Sequence, residues 1–189
     1  MSKNDNFQAL ANKIDSEAYT QLNNLVLNNS ENLDNLIQVI VNQYCRPLDD
    51  LMHRIKIKLE DEDNPPTNEI LDDMALNLSA CLYYVGEGVE IVGIREDVAK
   101  ALKMEKFSKA YDAASGTIGD KTAAADIASQ QEFILHSVYT RAYKQCKFKL
   151  ELGNEMLQTL KKVISRRMSE IQLSMVANQR FKRDGADFE

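Results

Sequence analysis

KTAAADIASQQEFILHSVYTRAYKQCKFKLELGNEMLQTLKKVISRRMSEIQLSMVAN, residues 121–178, contains no proline and a single glycine, Gly153. Nothing else in it stops a helix, which would extend roughly 85 Å at 1.5 Å per residue. Its apolar residues Leu150, Leu157, Leu160, Ile164, Met168, Ile171 and Met175 recur at the threes and fours of one helix face. A stripe of that length needs a partner helix to cover it, which predicts an antiparallel hairpin or an oligomer joined along this seam. Gly153 is the one place in the stretch where a bend or a hairpin turn is expected. The implied fold class is all-α: an elongated helical hairpin or bundle with a long C-terminal helix, oligomeric.

Working outward, Asp120 is expected to cap the long helix, and Ser115-Gly116 to end the one before it, as a glycine just past a helix terminus does. That earlier helix reads backwards through Tyr111, Phe107, Leu102 and Val98 to Arg95. Gly88 to Ile94 is open between a short strand and a helix restart, because Gly86-Glu87-Gly88 loosens the chain after a helical pattern of Ile70, Leu71, Met74, Leu78 and Leu82. The clearest break is Glu60-Asp61-Glu62-Asp63 followed by Asn64-Pro65-Pro66, with Thr67 or Asn68 able to cap the next helix. Upstream, Leu33, Ile37, Val41, Tyr44, Leu51, Ile55 and Leu59 trace another helix, which Pro47 should kink or restart at Leu48. Residues 7–29 (Phe7, Leu10, Ile14, Tyr19, Leu22, Leu25) form a weaker, Asn-rich pattern suited to an arm. The expected organisation is an N-terminal helical arm over 1–63 and a helical hairpin domain over 64–189.

Composition points the same way. Seven Gly and three Pro in 189 residues are too few for a sandwich, barrel or doubly wound fold, while 44% apolar residues suffice for a core. With no Trp and 7% aromatic residues, a large aromatic-lined cofactor pocket is not expected. Cys45, Cys81 and Cys146 are odd in number and form no CxxC pair, which argues against a disulfide framework or zinc knuckle and for a reducing compartment. The polar start Ser2-Lys3-Asn4-Asp5-Asn6 is unlike a signal peptide, and no apolar run approaches a membrane span. The expectation is a soluble, cytoplasmic protein with no membrane partner.

The net charge of −6 conceals a division. Residues 1–120 hold 11 Lys and Arg against 21 Asp and Glu, net −10, whereas residues 121–189 hold 12 against 8, net +4. Arg141 to Arg183 alone carries 11 basic residues and three acidic ones. Arg141, Lys144, Lys162, Arg166 and Arg180 project into one sector opposite the apolar stripe, diluted by Glu151 and Glu155. Such asymmetry is what contact with a polyanion produces, through release of condensed counterions. It equally suits a basic stretch that meets acidic residues 60–73 of a neighbouring subunit.

Catalytic constellations are missing. Residues 115–122 echo a phosphate-binding loop, but Asp120 stands between the last glycine and Lys121, and no strand precedes it. Gly116-x-x-Gly119 likewise lacks the strands of an RNA-clamping fold. Asp50-x-x-His53 and Glu132-x-x-x-His136 put one carboxylate and one imidazole on each of two helices, short of a di-metal bundle. The pairs Asp49-Asp50 and Asp72-Asp73 suit helix starts. No catalytic residue, metal or cofactor is expected, and the chain reads as a non-enzyme.

From Lys109-Ala110-Tyr111 through a Gly-containing turn, Lys121-Thr122-Ala123-Ala124-Ala125-Asp126 and a helix ending Ile164-Ser165-Arg166-Arg167-Met168-Ser169-Glu170-Ile171, the order of motifs resembles the recombination mediators (UvsY-like) of T4-like phages. The likeness covers roughly the last 80 residues. It implies an all-helical, ring-forming, non-enzymatic protein that binds single-stranded DNA, helps displace the single-strand-binding protein and loads a recombinase. It places the weight of DNA contact on Lys121, Arg166 and Arg167. The residues alone support DNA binding by the basic helix, with Tyr139, Tyr143 and Phe148 as its few stacking platforms. The rival reading is a structural or adaptor protein, such as a virion component, that uses the charged helices for assembly.

Overall fold

A computed structural model describes residues 3–184, with side chains described over 30–176. Among the described residues there are four helices and no strand: α1 (Lys3–Leu59), α2 (Asn68–Ala113), α3 (Ile118–Ala128) and α4 (Gln130–Asp184). The all-α expectation is met. The chain divides into two compact units, Met1–Ile40 and Val41–Glu189. The apolar positions from Phe7 to Leu25 lie outside the residues whose side chains are described.

The second unit is a bundle of three long segments, namely α1 from Val41 onward, α2 and α4, with α3 as a short link between the last two. α2 and α4 run antiparallel. Lys103 lies over the Phe133 ring (4.4 Å to its centroid), Thr140 donates to Glu96, and Leu82 faces Gly153, each step down one helix matching a step up the other. α1 and α4 run parallel, as Asp49 meets Lys149 and Pro66, past the end of α1, meets Arg167. The core is aliphatic: Val41, Cys45 and Leu48 of α1, Leu71, Leu78 and Val92 of α2, and Ala142, Cys146 and Leu160 of α4 are fully or almost fully buried.

α2 continues without interruption across Gly86-Glu87-Gly88 and Gly93, so the expected loosening and the alternative of a strand at 88–94 are both corrected. Leu78, Leu82, Val85, Val89 and Val92 are buried at alternating threes and fours, and that packing offsets the roughly 1 kcal/mol that a mid-helix glycine costs. Two of the glycines seat aromatic rings. A Cβ at Gly88 would stand 2.8 Å from Tyr44 Cδ1, and one at Gly93 3.1 Å from Tyr143 Cε2. Gly153 plays the same part in α4, where a Cβ would meet Leu82 Cδ2 at 2.7 Å and Leu48 Cδ1 at 3.1 Å. No hairpin turn forms there, because the residue is a contact point inside a continuous helix.

The break in the 121–178 stretch lies at Ser129 instead. Its backbone has left helical geometry (φ −99°, ψ 10°), and its buried hydroxyl donates to the Ala125 carbonyl at 2.8 Å. Such back-bonding competes with the helical ladder and bends or ends it. The start of α3 also differs from expectation. Thr117 is the cap, and Asp120 is the third residue of a capping box, its carboxylate accepting from the Thr117 amide at 3.0 Å. Gly116 precedes it at φ +114°, a conformation that favours glycine. At the other turn Thr67 caps α2 after Pro65-Pro66, as the sequence suggests. Pro47 lies within α1, on its exposed side between buried Cys45 and Leu48, and the helix passes through it without a new start.

Candidate nucleic-acid interface

α4 determines where the basic residues go. Its inward side is taken by Val138, Ala142, Cys146, Gly153, Leu157 and Leu160, so residues half a turn away face outward. Arg141, Lys144, Lys162 and Arg166 are all exposed on that outward side. Arg141, Lys144 and Lys162 have no ion-pair partner among the described residues, while Arg166 holds Glu170 one turn ahead at 2.9 Å. From Arg141 to Arg166 the row measures roughly 38 Å at helical rise. Glu151 and Glu155 share the sector. Phe148, 59% exposed, stands in the same row, whereas Tyr139 and Tyr143 are half-buried and Tyr143 lies against Gly93.

The remaining sequence candidates are placed differently. Arg167 is half-buried and its guanidinium donates to the Pro66 carbonyl, tying α4 to the turn between α1 and α2. Lys121 lies on α3, half-buried, with its ammonium 5.9 Å from the Tyr111 ring centroid. Arg180 lies outside the residues whose side chains are described. The Asp120 carboxylate, which the Thr117 hydroxyl and amide hold below the usual carboxylate range, puts a negative charge at the α3 N-terminus that opposes a bound phosphate.

The seam residues divide into two groups. Leu157 and Leu160 are buried in the chain's own bundle, and Leu150 and Ile164 are half-buried. Beyond the Arg167–Pro66 contact α4 extends past the α1–α2 turn, and Met168, Ile171 and Met175 are exposed.

Several polar groups hold the bundle, among them Asp49, which the sequence reading set near a helix start and which lies inside α1 instead. Lys149 donates to both oxygens of Asp49 at 2.6 and 2.8 Å across α1 and α4. Glu96 accepts from the Thr140 hydroxyl at 2.9 Å and lies 3.8 Å from His136 Nε2. Cys45 and Cys146 are fully buried side by side, and the hydrogen bond between them, with burial, pushes the Cys45 thiol far above the ordinary range. Their register could not be read from a sequence in which the partners stand from 40 to about a hundred residues apart.

Among the described residues, no group of three or more His, Cys, Asp or Glu side chains could hold a metal ion, and no helix is long and apolar enough to cross a membrane. In comparisons with known proteins, no family model, no curated protein and no solved structure matches the chain.

Proposed function

We propose that this chain is a non-enzymatic helical protein that binds single-stranded DNA along the outward face of α4, and that it assists recombinase loading in the way its C-terminal sequence suggests. The observation that carries the reading is the exposed row of Arg141, Lys144, Lys162 and Arg166 with Phe148 among them. Four cations over roughly 38 Å follow a flexible phosphate backbone, and one exposed ring offers a base a stacking surface. Contact of this kind is mostly electrostatic and carries little sequence preference. Homo-oligomerisation through Met168, Ile171 and Met175 belongs to the same reading, as does contact with a recombinase and a single-strand-binding protein.

The test is fluorescence anisotropy of a labelled single-stranded oligonucleotide at several salt concentrations, with duplex of equal length as control. With four phosphate contacts, log K should fall with log salt at a slope of about −3, since each contributes roughly −0.7 on a single strand. Arg141→Glu with Lys144→Glu should abolish binding and leave the thermal melt unchanged. Absence of binding at low salt overturns the reading. The structural or adaptor reading, favoured by the exposed apolar residues past Arg167, would then stand in its place.

A further inference from the structure

α2 carries a second apolar stripe on the side away from the core. Leu76, Tyr84, Ile91, Ile94, Val98 and Leu102 are exposed, Leu76 by 70% and Tyr84 by 71%. At 3.6 residues per turn they fall within a sector of roughly 80°, opposite the buried ridge that runs from Leu78 to Val92. From Ala80 to Ala101 the positions Ala80, Tyr84, Glu87, Ile91, Ile94, Val98 and Ala101 step by alternating fours and threes, the spacing of a coiled-coil seam with Glu87 as its one charged position. Together with Tyr83 and the two alanines it leaves on the order of 700 Å² uncovered, more than the few hundred usual on a monomer and close to the roughly 800 Å² each partner contributes to a standard interface.

We propose that this face is covered by the same face of a second copy, α2 packing antiparallel on α2 about a two-fold axis at Ile91. Two charged pairs and two apolar pairs of this face are complementary about that residue, while Leu76 meets the stem of Lys106. Four positions before Ile91 stands Glu87 and four after it Arg95; eighteen before stands Asp73 and eighteen after Lys109. All four are exposed. Seven positions away Tyr84 meets Val98, and eleven away Ala80 meets Leu102, large against small on both sides of the axis. An interface of this kind is isologous and closes at two copies.

Charge favours the antiparallel arrangement over the parallel one. From Asn68 to Ile94 the helix has five acidic residues and no Lys or Arg, whereas Arg95 to Ala113 carries five basic residues against four acidic ones, Glu96, Asp97, Glu105 and Asp112. A parallel pair sets Glu87 against Glu87 and Asp73 against Asp73, and an antiparallel pair sets Glu87 against the partner's Arg95 and Asp73 against the partner's Lys109. The present neighbours of these groups are weak competitors. Lys109 pairs with Glu105, and Glu87 takes the Tyr83 hydroxyl, one turn away on the same exposed surface. The Arg95 guanidinium lies 5.9 Å from the Tyr44 ring centroid, and the residue is exposed.

Sedimentation equilibrium of the full chain across a micromolar concentration range tests this, with circular dichroism melts to confirm folding. Wild type should show a dimer or an even multiple. Ile91→Lys, which places two ammonium groups on the axis, should weaken association at least 100-fold and keep a folded, helical circular dichroism spectrum with a cooperative melt. Glu87→Arg and Arg95→Glu should each weaken it, and the double variant should return it to within a few-fold of wild type. A monomeric wild type, association indifferent to Ile91→Lys, or a double variant no better than its parents would overturn the proposal. Indifference to Ile91→Lys would place assembly on another surface, such as the end of α4, and a monomer would leave the face to a different protein. DNA anisotropy on Ile91→Lys reports the α4 reading separately.

Discussion

Gly153 faces Leu82 and Leu48 at distances that leave no room for a side chain, while Gly86, also inside a helix, has nothing within 4 Å of where a Cβ would be. The two therefore respond oppositely to substitution. Gly153→Val should destabilise the bundle by about 1–3 kcal/mol through overpacking, and Gly86→Ala should stabilise it by about 0.5–1 kcal/mol through helix propensity, both read from urea unfolding midpoints. The thiols sort by burial in the same way. Cys81 is half-buried, whereas Cys45 and Cys146 are closed to solvent and Cys45 holds its proton firmly. A thiol reagent should modify Cys81 alone in the native protein and all three in denaturant, and labelling of Cys146 at the rate of Cys81 would contradict this packing. Neither distinction is present in the residue names. A glycine among helix formers reads as a breaker until the ring or leucine opposite it is known.

Helix ends are the local part of the fold. Thr67 after Pro65-Pro66 and the Thr117-to-Asp120 capping box are written in consecutive residues, although the sequence alone assigned the cap of α3 to Asp120 instead of Thr117. Because the Thr117 hydroxyl and amide lower the Asp120 pKa in the folded chain, the carboxylate contributes stability above its ordinary range. That contribution is lost as pH falls through the lowered folded value. Hydrogen-exchange protection of the Thr117 amide should thus drop on acidification, and in Asp120→Ala it should be low at every pH. The α4 seam makes a second test at this scale. Leu160→Ala should cost about 2–5 kcal/mol, as for any fully buried leucine, whereas exposed Met175→Ala should leave the melt unchanged. The periodicity from Leu150 to Met175 is uniform along the sequence, and only the end of α1 and α2 near Pro66 divides it into a covered and an uncovered part.

For the whole molecule, the basic row and the Lys149–Asp49 bond allow the proposed DNA contact to be tested apart from stability. Lys149→Ala should lower stability by about 1–2 kcal/mol by leaving a half-buried carboxylate without its partner and leave DNA affinity within a few-fold. Lys162→Ala should do the reverse, lowering the salt slope of DNA binding by roughly 0.7 with no change in the melt. Sequence by itself determined the all-helical class, the turns at Pro65-Pro66 and Ser115-Gly116, and the outward sector of Arg141, Lys144, Lys162 and Arg166. Each of these depends on local chemistry or on a 3.6-residue period that one helix carries alone. Tertiary structure decided that α2 runs unbroken past its glycines, that the long stretch ends at Ser129, that Arg167 binds the Pro66 carbonyl, and that α2 keeps an apolar face in solvent. Those outcomes depend on which residue of a distant helix stands opposite. The registry of three helices is set by packing among all of them together, which no window of consecutive residues contains.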